Sequence, residues 1–165
     1  MNDADESPIC CLRFDPVPWD NQTHIWKDRV FIKDSLPQLF HIPLPRTFAS
    51  TIGRMWKTAQ DAGAATSVQD FLLLNYDPTP WKGVFLMAVN HEVPGVENVK
   101  LSGTFQSKVF DGPHNAVPRY IKQMNAHLAQ QGKVARNQYF YYTTCPRCAT
   151  KYGHNYIVDF AELQG

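Results

Sequence analysis

Apolar residues recur at helical spacing in two stretches of this chain. From Pro45 to about Ala62, Phe48, Ile52, Met55, Trp56 and Ala59 fall on one face of a helix. Pro45 suits the first helical position and Gly63 the stop. From about Pro113 to Gln131, Val117, Ile121, Met124 and Leu128 form a second apolar stripe, closed by Gly132. Pro118 falls in its first two turns, where a missing N–H is tolerated. Elsewhere the pattern is that of strands, expected over residues 8–14, 71–76, 84–89, 99–110, 139–144 and 155–163. Two proline-bearing loops, DPTPWKG and CPRCATKYGH, join the strands of two hairpins. The stretch from Asp15 to Leu44 carries Pro16, Pro18, Pro37 and Pro43. It reads as irregular, either packed over the domain, lying across a cleft as a lid, or forming a functional rim.

The order is therefore β-α-β-β, repeated. Halves over about 8–90 and 99–163 predict an α+β fold related by a pseudo-twofold, with an antiparallel sheet and two main helices. Residues 1–7 are expected to be a disordered tail on one domain spanning 8–165.

The second strand-to-helix junction reads FDGPHNAVPRYIKQMNAHL. With the doubled order, this step from Phe110-Asp111-Gly112-Pro113 into a helix resembles the GyrI-like effector-binding domains, which share a fold with the SOUL haem-binding proteins. The resemblance covers about Pro8 to Leu163, with His114 where an aromatic is common in that family. It implies an aromatic-lined cleft at the pseudo-twofold. It also implies one of three roles: a drug-sensing module, a stand-alone binder, or a hydrolase of reactive cyclopropane-bearing toxins. The stretch YYTTCPRCATKYGHNY is similar to a group of stand-alone bacterial proteins of this length.

Composition narrows the partners. The net charge is +1 with no run of Lys or Arg, so direct nucleic-acid binding is not expected. No apolar run approaches the ~20 residues of a membrane span. The acidic, polar start lacks a signal-peptide pattern, so a cytoplasmic location with reduced thiols is expected. Aromatic residues make up 13% of the chain, enough to line a pocket as well as a core. Oligomeric state is left open.

Candidate chemistry gathers in the second half. Tyr139 and Tyr141 share one strand face, Phe140 and Tyr142 the other. One face packs on helices; the other lines a cleft with Trp56, Tyr76, Trp81 or Phe110. Taken singly, each ring also fits a plain core or rim role. Asp159 alternates with Val158 and Phe160. It fits a solvent-facing strand residue, or a carboxylate among apolar neighbours suited to general-acid work or cation binding.

Cys145-Pro-Arg-Cys148 with His154 fits three readings: a Zn²⁺ site, a redox pair, or neither. A structural zinc needs a further ligand, and Cys10 and Cys11 are the other thiols. A redox pair wants a helix start, and too little chain follows for more than a turn of helix. No acid–base pair, phosphate loop or serine elbow stands out. The expected function is small-molecule binding in an aromatic cleft. The alternatives are hydrolysis of reactive small molecules in that cleft, or zinc- or redox-dependent chemistry at the Cys-x-x-Cys loop.

Overall fold

The structure, a computed structural model, describes residues 11–165. The expected tail 1–7 and the first residues of the expected strand 8–14 lie outside them. The described order is β1 (Gln22–Leu39), β2 (Ile42–Pro43), α1 (Pro45–Asp61), β3 (Leu73–Thr79) and β4 (Lys82–Ala88). It continues with β5 (Glu97–Asp111), a 3-10 turn at His114–Ala116, α2 (Val117–Ala129), β6 (Ala135–Tyr142), α3 (Pro146–Tyr152) and β7 (Tyr156–Leu163).

Two expectations are corrected. Residues 11–21 hold no strand, and the stretch read as irregular is mostly one strand of 18 residues. Its alternation is hidden for two reasons. The register shifts between Trp26 and Arg29, where Asp28 takes φ 49° and the strand bulges. Beyond the bulge both faces are covered, so Phe31 and Ile32 are buried in succession and the period-two signal disappears. The last loop holds a further departure: α3 supplies two turns where one at most was expected.

The sheet runs β2-β1-β4-β3-β6-β7-β5, and β1 also pairs with β5, so six strands close into a ring. The ring pairings are antiparallel. Exchanging β1 with β5, β4 with β7, β3 with β6 and α1 with α2 leaves this order unchanged, which is the pseudo-twofold in topological form. Closure leaves few unpaired strand edges.

Three apolar layers follow. Inside the ring, Phe31, Leu74, Leu86, Phe105, Val158 and Phe160 are buried together. Outside the first half, α1 lays Met55 and Ala59 on Ile32, Phe85 and Met87. Outside the second half, α2 lays Tyr120, Met124 and Leu128 on Phe110, Phe140 and Ile157. Apolar burial of this kind stabilises by roughly 25 cal/mol per Å². No described helix is long and apolar enough to cross a membrane.

The FDGP junction has a physical reading. The Phe110 ring stacks on Tyr120 at 4.7 Å between centroids. The Tyr120 hydroxyl donates to the Pro113 carbonyl and sits where a Cβ on Gly112 would be. Gly112 N–H donates to the Asn155 carbonyl, and Asn155 Nδ2 donates back to the Gly112 carbonyl. The motif thus locks the turn into α2 against the start of β7.

Candidate functional site: an aromatic ring end beneath residues 11–21

One end of the ring sets the half-buried Trp26 on buried phenylalanines. Trp26 packs on Phe105 at 4.3 Å, on Phe160 at 5.7 Å and on Phe31 at 6.0 Å. Across this end lies the segment 11–21, which inserts two rings. Trp19 meets Phe160 edge-on at 6.0 Å and Tyr141 at 6.4 Å. Phe14 meets Tyr141 edge-on at 6.2 Å and Tyr156 at 6.0 Å.

The segment is tied at both ends. Ser107 Oγ donates to the Trp19 carbonyl, and Val109 N–H donates to Asp20 Oδ1 at 3.0 Å. Ser107 has one hydroxyl proton, so its 2.7 Å contact with His24 Nε2 makes that nitrogen the donor. At the other end, Tyr152 Oη donates to the Cys11 carbonyl and Cys145 N–H donates to Cys11 Sγ at 3.4 Å.

Between the segment and the β6–β7 loop opens a cleft of about 390 Å³, within the range of small-molecule sites. Arg13, Phe14, Thr144, Tyr152, His154 and Tyr156 contribute to its walls. The Arg13 guanidinium lies over the Tyr152 ring, and His154 stacks nearly parallel on Tyr156. His154 Nδ1 is 2.6 Å from Asp111 Oδ2, while Asp111 Oδ1 accepts the Asn155 N–H at 2.9 Å. The Asp111 oxygen makes Nδ1 the protonated nitrogen, which leaves Nε2 of the neutral ring as an acceptor.

Residues 1–163 match the model of a family described as bacterial hydrolase. The chain belongs to this family. No curated protein is similar enough in sequence to match this chain. Its fold is similar to that of the EcmrR C-terminal domain, with TM-score 0.62 and 12% identity over 88% of this chain and 98% of that one. It is also similar to two structures from Listeria innocua, each covering 88% of this chain and 92% of the other. One is of an uncharacterized conserved protein, at TM-score 0.61 and 10% identity; the other is of a hydrolase, at TM-score 0.61 and 9% identity. At such identities the likeness establishes the fold, which is GyrI-like.

The expected ligand residues fall in several places. Tyr76, Tyr139 and Tyr141 share the ring interior, with Tyr76 edge-on to Tyr139 at 5.6 Å. Trp56 packs on Phe71 in the α1 layer. Trp81 stands exposed beside Phe40 on the β3–β4 turn. Phe110 lies in the α2 layer. Asp159 pairs with Phe140 and Lys108 on the neighbouring strands, is 0% exposed, and neither carboxyl oxygen has a hydrogen-bond partner. The sulfurs of Cys145 and Cys148 lie within 4.8 Å of each other and of Cys11 Sγ; His154 is outside that group.

The rings that sequence reasoning missed are Trp19, His24, Trp26, Phe105 and Phe160. In β1 there was no usable signal: apolar Ile25 is exposed while polar His24 is half-buried, the reverse of what hydropathy predicts. The Asp111–His154 pair had none, because its members are 43 positions apart.

Electrostatics sort the roles. Burial pushes Tyr139 up to about 12, helped by Glu162, and pushes Tyr141 up to about 12. Both hydroxyls therefore stay protonated near neutrality and act as donors or apolar walls. Burial lowers His24 below its ordinary value, as does the nearby Arg29 charge, so it is neutral. Burial likewise lowers His114, which packs edge-on to Tyr142. For Asp111, partial burial acts upward, but the hydrogen bonds from His154 and the Asn155 N–H outweigh it and hold the carboxyl below its ordinary value. Burial raises Asp159 well above its ordinary value.

Proposed function

We propose that this chain is a cytoplasmic small-molecule-binding protein that takes a flat apolar or cationic ligand at the aromatic end of its ring. The cleft beside Phe14 is the way in. The observation that carries this reading is the convergence of half-buried Trp19, Trp26 and Tyr141, from three separate segments, on the buried Phe160 ring. A solvent-proof core needs no such rim of Trp and Tyr. These faces also suit a cation: the Arg29 guanidinium already rests 4.8 Å from the Trp26 ring centre. A ligand would displace Phe14 and Trp19, which occupy this end in the present state.

Thermal shift against acridine and phenanthridinium dyes tests the reading. Ligand at a hundredfold its Kd stabilises by ~2.7 kcal/mol, a rise of several degrees in Tm. Tyr141→Ala is expected to abolish the shift. A panel that leaves Tm unchanged sinks the proposal.

A second reading, hydrolysis, is favoured by the Asp111–His154 pair on the cleft wall. Held by the carboxylate, His154 would take a proton from water through Nε2 as the water oxygen bonds to an electrophilic carbon of the ligand, and would pass that proton to the leaving atom as its bond to the carbon breaks. Arg13 stands on the same wall to meet developing negative charge. His154→Ala would then abolish turnover while leaving dye binding intact. Turnover surviving in His154→Ala rejects this reading alone.

A further inference from the structure

We propose that Cys11, Cys145 and Cys148 hold a zinc ion that fastens the segment 11–21 to the β6–β7 loop. Three sulfurs from two segments more than 130 residues apart lie within 4.8 Å of one another. A tetrahedral ion with Zn–S bonds of ~2.3 Å spaces its sulfurs ~3.8 Å apart, so small side-chain adjustments close the site. A disulfide would join two of these sulfurs, whereas a metal uses all three. Cys148 is fully buried and Cys11 and Cys145 are half-buried, so the ion would be largely shielded from solvent.

The surroundings suit thiolates. The Cys145 N–H points at Cys11 Sγ, a donor that favours the ionised sulfur. On binding, each thiol releases its proton to solvent as its sulfur becomes a ligand. Cys10, the remaining thiol of the chain, adjoins Cys11 in the sequence and lies outside the described residues. His154 stands outside the sulfur group and is not a ligand in this arrangement.

The consequence is mechanical. The residues that follow Cys11 include Phe14 and Trp19, the rings seated in the aromatic end. A metal at Cys11 therefore fixes one end of the segment that covers this end, while Ser107 and Val109 fix the other. This inference stands whether or not a ligand binds there.

The full-length protein, purified under reducing conditions, is expected to carry one zinc per chain by elemental analysis. Cobalt substitution is expected to give intense thiolate-to-metal charge-transfer absorption. Cys11→Ser and Cys145→Ser should each lower zinc content at least fivefold with the circular dichroism of the ring unchanged. His154→Ala should keep it full. Chelation of the wild-type metal should speed amide exchange over residues 12–20 at least tenfold. The proposal is overturned by metal-free protein that rejects added zinc, by a Cys145–Cys148 disulfide that cycles without metal, or by full zinc content in Cys11→Ser. Unchanged exchange over 12–20 after chelation overturns the fastening role.

Discussion

Along one junction between the halves, β1 and β5 share ten paired positions, from Gln22↔Ser107 to Lys33↔Glu97. Along the other, β3 and β6 share a single registered pair, Asn75↔Phe140. The side chains follow the same division. At the broad junction Trp26, Phe31 and Phe105 stack across the strands. At the narrow one Tyr76 meets Tyr139 edge-on, and the Asn75 amide turns back to donate to Val84 in its own half. A symmetric topology is thus unevenly stitched. The broad junction carries most of the pairing that joins the halves, and the narrow one is expected to open first.

The most severe way to break this comparison is to remove the ring that anchors the broad side. Trp26→Ala is expected to lower unfolding stability by about 3–4 kcal/mol, because three rings lose their partner. Tyr76→Ala, with one edge-on contact at stake, is expected to cost about half as much. Urea unfolding gives both numbers. Amide exchange sharpens the contrast: β1 and β5 amides should exchange near the global rate, and β3 and β6 amides faster. Equal protection at both junctions would remove the distinction.

Next in size is the exit from the broad junction. β5 leaves it through Gly112, where a Cβ would collide with the Tyr120 hydroxyl. Gly112→Ala is expected to destabilise by ~1–3 kcal/mol. Adding Tyr120→Phe removes the obstructing oxygen and should recover part of that loss, a coupling that a double-mutant cycle reads directly. Additive effects would contradict the steric account.

This junction also shows what a sequence exposes and what it hides. FDGP was legible because its chemistry is local: glycine and proline mark a turn, and a helical stripe follows within a few residues. The two main helices and both hairpins were legible for the same reason. β1 was not, because a bulge and two covered faces erase its alternation around Lys27–Ile32. The site was legible in pieces. Tyr139 and Tyr141 could be assigned to one face from spacing alone, and the Cys-x-x-Cys loop stood out. That Cys11 meets Cys145, and Asp111 meets His154, depends on ring closure and on the path of the N-terminal segment, neither of which leaves a local pattern.

A third test concerns the strand beside the narrow junction. Asp159 faces the α2 layer next to Phe140, the residue that pairs with Asn75. Burial raises its folded-state pKa above the unfolded value of ~3.9. Above that pH the folded chain keeps a proton that the unfolded chain has lost. Stability therefore falls as pH rises from ~4 toward the folded pKa, with a slope approaching ~1.4 kcal/mol per pH unit. Below ~4 both states are protonated and the penalty vanishes. Asp159→Asn, neutral at every pH, should be more stable than the parent at pH 7–8, with the gap closing toward pH 4. A gap independent of pH would mean that ionisation of Asp159 plays no part.

The smallest expected effect compares two Asp–His pairs. In the first half His41 Nδ1 lies 2.9 Å from Asp77 Oδ2; in the second His154 Nδ1 lies 2.6 Å from Asp111 Oδ2. All four side chains are at least partly exposed, so each contact contributes at most ~1 kcal/mol, and removing either histidine should shift stability by about 0.5 kcal/mol. What separates them is location. His41 stands on the outer surface near the β3–β4 turn, whereas His154 lines the cleft against Tyr156. His41→Ala should therefore leave both dye binding and any hydrolytic turnover unchanged, while His154→Ala alters turnover at nearly equal stability. If both variants lose turnover together, the effect comes from the fold as a whole. The Asp111–His154 pair would then have no more chemical standing than its counterpart on the other half.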